Sequence, residues 1–150
     1  MTADQHRSSG FRAGHGNTAG LSWHWHTALP SDHRAAEGGR QVTRAALAAW
    51  RLDHLSDTAV LLVSELVTNA VRHARAGESP IALHLETRAG WLRIEVCDCD
   101  PRWPEPRVPE ELDESGFGLV LVDSLAWKWG VCDTATGKAV WAELAVVSAG

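Results

Sequence analysis

The decapeptide Glu65-Leu-Val-Thr-Asn-Ala-Val-Arg-His-Ala74 sets an acid and an amide four residues apart in an otherwise apolar segment. At about 100° of rotation per residue, Glu65 and Asn69 lie about 40° apart around a helix axis and share one edge. Leu62, Val63, Leu66, Val67, Ala70 and Val71 fill the neighbouring arc, which puts the pair at the seam between core and solvent. A carboxylate there can orient or deprotonate a nucleophile, and an amide oxygen can ligate a hard cation such as magnesium. That is the chemistry of a metal-nucleotide site. One turn further on, Arg72 suits a phosphate and His73 suits a base, by packing or hydrogen bonding. The same pattern fits an amphipathic helix whose polar edge is simply solvated, so other segments must decide.

Two such segments exist. Asp98 ends an alternating stretch, and a buried carboxylate at a strand end can read an exocyclic amine of the kind adenine carries; a turn-capping aspartate is the plain alternative. Gly116-Phe117-Gly118-Leu119 opens the last apolar helical segment. Glycines at a helix start let phosphate oxygens approach backbone amides and the positive dipole end, although such glycines also serve ordinary turns.

The elements that must position these residues follow from periodicity. Residues 1–20 are rich in Gly, Ser, His and Arg and nearly free of apolar residues, which predicts a disordered tail, with a single domain over 21–150. Trp23 and Trp25 alternate with His24 and His26 in a strand that ends at Pro30, the histidines sharing one side of an edge strand. Ser31-Asp32 is placed to cap a helix running to about Trp50, with Gly38-Gly39 a weak point in its first half. Ser56 or Asp57 caps the helix that carries Glu65 and Asn69, which finishes near Ala76-Gly77. Residues 81–88 and 91–98 alternate as a hairpin joined by Ala89-Gly90. A helix over 118–128 and a second hairpin, 129–133 and 139–147 joined by 134–138, complete the domain. This order predicts an α/β two-layer sandwich, with helices on one face of a mixed, mostly antiparallel sheet.

Between the 91–98 strand and the last helix lie residues 101–115, which hold four of the six prolines. A polar segment of this length inside a compact domain is commonly a lid. Its PxxP spacings at 101/104 and 106/109 also match a ligand for an SH3-like partner.

Composition narrows the functions. A chain of 150 residues with net charge -5 and no Lys/Arg-rich patch lacks the electrostatic footprint of a nucleic-acid binder. No run approaches a membrane span and no apolar signal core is present, so a cytoplasmic protein away from the membrane is expected. Three cysteines do not make a disulfide framework, and no CxxC or HxxxH spacing supports zinc binding by Cys97, Cys99, Cys132, His24 and His26. The thiols read as small buried groups, and most of the eight tryptophans as core.

Taken in order, Glu65 to Ala74, Asp98 and Gly116 to Leu119 resemble the Bergerat-fold ATPases, the superfamily of histidine kinases, gyrase B subunits and mismatch-repair ATPases. Specifically, they look like the anti-sigma-factor serine/threonine kinase branch, of which the closing Gly137-Lys-Ala-Val-Trp-Ala-Glu-Leu144 and the Trp129-Gly130 step are also familiar features. The resemblance spans about 22–144. It implies Glu65 as general base, Asn69 as magnesium ligand, Arg72 near phosphate and His73 near the base. It also implies Asp98 on the adenine amino group, the amides of Gly116, Phe117, Gly118 and Leu119 around the phosphates, and 101–115 as the ATP lid. Lys138 stands beside a position where the superfamily often places a threonine that contacts the pocket. The family's Asp-x-Gly-x-Gly reads here Asp98-Cys-Asp-Pro-Arg102, without either glycine.

The resemblance thus implies ATP and Mg2+ as cofactors. It implies a kinase acting on a serine or threonine of an anti-sigma antagonist protein, with a sigma factor as a further partner and a homodimer as the assembly. The alternative is a non-catalytic ATP-binding or nucleotide-free module that sequesters a sigma factor or another partner. The Trp23/Trp25 strand and the first helix are the expected contact face.

Overall fold

A computed structural model describes residues 10–13, 22–73, 80–88, 90–98, 117–134 and 137–146, of which 10–13, 73 and 117–120 through their backbone. The strands are β1 (Gly10–Ala13), β2 (Trp23–Leu29), β3 (Ile81–Arg88), β4 (Trp91–Asp98), β5 (Lys128–Thr134) and β6 (Gly137–Ala145). The helices are α1 (Ala35–Ala49), α2 (Ser56–His73) and α3 (Phe117–Leu125), with a 3-10 turn, Asp53–Leu55, leading into α2.

One sheet forms in the order β1-β2-β3-β4-β6-β5, and every neighbouring pair is antiparallel. The expectation of a mixed sheet is therefore corrected for the described residues. The α1–α2 pair is a helical hairpin that returns the chain to the end of the sheet where β2 finishes, so β3 runs against β2. β4 and β5 do run the same way, but β6 folds back between them and no parallel pair arises.

The helices cover one face. Leu83 and Leu85 of β3, Leu92, Ile94 and Val96 of β4, and Ala142 and Leu144 of β6 turn inward by alternation. They meet Leu47 of α1 and Leu62, Val63, Leu66 and Val67 of α2 in one core. The outer face is polar, with Glu86, Arg93, Glu143 and Lys128 in a row of alternating sign across four strands and His24 beside Glu86 on the fifth. Arg93 reaches Glu143 at 3.0 Å within that row. No helix among the described residues is long and apolar enough to cross a membrane.

Local chemistry sets the helix positions. Asp32 does not cap α1; its carboxylate instead takes the Arg34 amide at 2.9 Å and the Arg34 guanidinium at 2.8 Å, and the helix starts after that turn. α1 ends where Arg51 adopts φ 58° and the Leu52 and Arg51 amides return to the Leu47 and Ala48 carbonyls at 2.8 and 3.2 Å. Gly39 has a packing reason, since a Cβ there would lie 3.0 Å from Val63 Cγ1. The missing side chain lets α1 approach α2 closely.

Several sequence-based expectations change. Gly10–Ala13, inside the expected tail, pairs with β2, so β2 is not the edge. Backbone hydrogen bonding to an open strand edge supplies what the apolar-poor sequence lacks. Trp23 and Trp25 pack against the core rather than forming an exposed contact face, because their register partners Thr87 and Leu85 face the helices. Cys97 is half-buried and Cys132 exposed, both on the outer face. Trp50 is buried in the core and Trp129 packs against it, whereas Trp91 and Trp141 lie on the outer face and Trp127 is 60% exposed. Lys138, expected in a hairpin loop, belongs to β6.

Candidate active site

Glu65 and Asn69 lie on α2, the helix whose apolar arc is sealed into the core. Leu62, Val63, Leu66, Val67 and Ala70 are buried, while Glu65 and Asn69 are half-exposed at the margin of that arc. Glu65 makes no hydrogen bond or ion pair among the described residues, so its carboxylate is available to a proton. Beside it, Ser64 receives a hydrogen bond from Arg40 Nη1 at 3.0 Å, and Arg40 also grips Glu37 at 2.6 Å. The hydrogen bonds and charge of the Arg40 guanidinium hold the Glu37 carboxyl below the usual carboxylate range.

Asn69 differs from Glu65 in one decisive respect. Its Oδ1 is buried and has no hydrogen-bond partner among the described residues. Leaving a buried amide oxygen unsatisfied costs on the order of 1–3 kcal/mol, so a native helix that keeps one has a use for it. A hard cation is the ligand a neutral oxygen of this kind takes, and Asn69 therefore fits the magnesium role.

Asp98 is the last residue of β4, and by alternation it faces the helix layer; it is 8% exposed. α2 packs on β4, and α3 packs on α2. α2 leads toward Ile81, the register partner of Asp98. α3 ends shortly before Lys128, which pairs at the other end of β6 from Lys138. Phe117, Gly118 and Leu119 form the first turn of α3, where the amides of a helix have no internal acceptors. Lys138 stands directly across from Asp98 on β6.

Arg72 is exposed in the last turn of α2, and His73 is its final residue. The 101–115 segment expected as a lid, its PxxP spacings and Gly116 lie outside the described residues, as does the His73 side chain. No group of three or more His, Cys, Asp or Glu among the described residues is arranged to hold a metal ion, and Cys99 lies outside those residues. Sequence reasoning missed the Arg40 to Ser64 tie, for which 24 residues of separation left no local signal, and the pairing of Lys138 with Asp98, which depends on register alone.

An acid and an amide oxygen without a partner among the described residues thus share one helix edge, and a buried aspartate ends the strand on which that helix packs. Residues 29–144 match the histidine kinase-like ATPase domain. The chain is also 37% identical over 85 residues to an uncharacterized protein of Streptomyces coelicolor, covering 54% of this chain and 79% of that one. With well over half its length matched in this way, the chain belongs to the histidine kinase-like ATPase domain family.

Proposed function

We propose that this domain binds Mg-ATP and transfers the γ-phosphoryl group to a serine or threonine of a protein partner, as an anti-sigma-factor-type regulatory kinase. The observation that carries the reading is the buried Oδ1 of Asn69 one turn from the Glu65 carboxylate, both without a hydrogen-bond partner among the described residues. Glu65 takes the proton of the incoming hydroxyl, whose oxygen attacks phosphorus as ADP leaves. Asn69 would hold magnesium, which when bound neutralises phosphate charge. Asp98 accepts from the adenine amino group, Arg72 meets phosphate, and the first turn of α3 offers amides to the phosphate oxygens. Positioning and charge neutralisation carry most of the rate, since phosphoryl transfer asks little covalent chemistry of the protein. The partner proposed is an anti-sigma antagonist protein.

The test is calorimetric titration of the purified protein with a non-hydrolysable ATP analogue, with and without magnesium. Magnesium-dependent binding at micromolar concentration supports the site. A folded protein that binds no nucleotide overturns it. Incubation with labelled ATP and a candidate antagonist then separates a kinase, which labels the partner, from a module that binds nucleotide without turnover.

A further inference from the structure

We propose that Lys138 reads the nucleobase together with Asp98, and that this pair opens the base pocket to guanine as well as adenine nucleotides. The proposal rests on the reading of Asp98 as the base-binding carboxylate and adds to it a residue and a substrate class.

Register carries the argument. Asp98 of β4 and Lys138 of β6 are direct cross-strand partners, so their side chains leave the same face of the sheet, the one the helices cover. Asp98 is buried there and Lys138 half-buried. On the far side of Lys138 its partner is Asp133 of β5, which is exposed. The lysine thus stands between a buried and an exposed carboxylate at the end of the sheet where α2 leads toward β3.

The two side chains have opposite and fixed hydrogen-bonding characters. An ionised carboxylate only accepts and an ammonium only donates. Adenine presents an amino donor beside a ring nitrogen; a lone carboxylate satisfies the donor and leaves unpaired only that nitrogen, a weaker acceptor than a carbonyl oxygen. Guanine presents a ring N–H and an amino group, both donors, beside a carbonyl oxygen. A carboxylate can take both donors, but it leaves the carbonyl without a partner, and a buried unpaired acceptor costs on the order of 1–3 kcal/mol. Adjacent strands lie about 4.8 Å apart, a separation similar to the breadth of a purine's pairing edge. An ammonium one strand over from the carboxylate is therefore placed to donate to that carbonyl while Asp98 keeps the two N–H groups.

Calorimetric titration of the wild-type protein with Mg-ADP and with Mg-GDP tests this, together with Lys138→Met and Lys138→Arg. The wild-type protein should bind GDP within about tenfold of ADP. Lys138→Met should weaken GDP by at least about tenfold more than ADP, and Lys138→Arg, which keeps a donor, should hold the wild-type ratio. The ratio of the two affinities is the readout, because loss of the cation beside Asp98 alters both nucleotides for structural reasons alone. ADP binding with GDP more than about 100-fold weaker in the wild-type protein overturns the proposal and leaves the ATP site intact. An unchanged ratio in a folded Lys138→Met protein overturns it too, leaving the lysine a structural neighbour of Asp98. Failure of both nucleotides to bind removes the ATP site and this inference with it. The wild-type comparison stands even where Lys138→Met does not fold.

Discussion

Arg40 donates to the hydroxyl of Ser64 at 3.0 Å, joining α1 to α2 at the residue just before Glu65. The contact fixes the rotation of α2 at the point where its polar edge begins. Ser64→Ala removes the acceptor without disturbing the apolar arc. It should cost about 1 kcal/mol, lowering Tm by about 2–4 °C. Thermal unfolding of the two proteins checks this; equal Tm values would show that the tie contributes nothing.

Glu65→Gln keeps volume and polarity but removes the ability to accept a proton. Nucleotide affinity should stay within about threefold, while phosphoryl transfer to a partner falls by about 100-fold or more. Turnover equal to that of the wild-type protein would remove Glu65 from the base role.

Asn69→Ala deletes a buried oxygen that has no partner among the described residues. Because that oxygen makes no hydrogen bond to them, its removal should not destabilise the protein by the amount usual for a buried polar deletion. The dependence of ATP affinity on magnesium should disappear at the same time. A magnesium dependence identical in both proteins would exclude Asn69 as the ligand.

Gly130 lies beneath the ring of Trp141, where an added Cβ would come within 2.8 Å of Cζ2. On the same indole, the Arg93 guanidinium stacks 4.4 Å from the ring centroid. Gly130→Ala must tilt the ring off the strand and loosen that stack. A loss of about 1–3 kcal/mol is expected, with a shift in tryptophan fluorescence. A urea midpoint at or above wild type would mean that the ring relaxes freely.

His84 faces His26 across the strand pair, with ring centroids 5.9 Å apart. Partial burial of the ring lowers its pKa below the ordinary 6.5; Glu95 opposes this and the His26 imidazole adds to it. The folded state therefore holds fewer protons than the unfolded chain near this pH, so stability rises with pH. The contribution is present above about 6.5 and is lost as pH falls through the lower folded value. Urea unfolding should show lower stability at about pH 5.5 than at about pH 7.5, with a smaller difference in His84→Asn. No reduction of the difference in the variant would assign the pH dependence to other groups.

The helix edge with Glu65 and Asn69, the strands 81–88 and 91–98, and the inward turn of Asp98 were all legible in the sequence. Each depends on a local period, 3.6 residues in a helix or 2 in a strand, that a short window carries. Helix boundaries were less legible. Asp32 spends its carboxylate on Arg34, a choice among nearby donors that spacing alone does not make. What tertiary structure decided was which distant residues meet. β6 inserts between β4 and β5, and only that insertion sets Lys138 opposite Asp98 and makes the sheet antiparallel throughout the described residues. Tertiary packing also turned Trp23 and Trp25 inward, drew Gly10–Ala13 onto the edge of β2, and left Asn69 Oδ1 buried without a partner among the described residues. Register and burial are properties of the packed whole, in which each strand's phase is chosen by its neighbours, and no single window of the chain contains them.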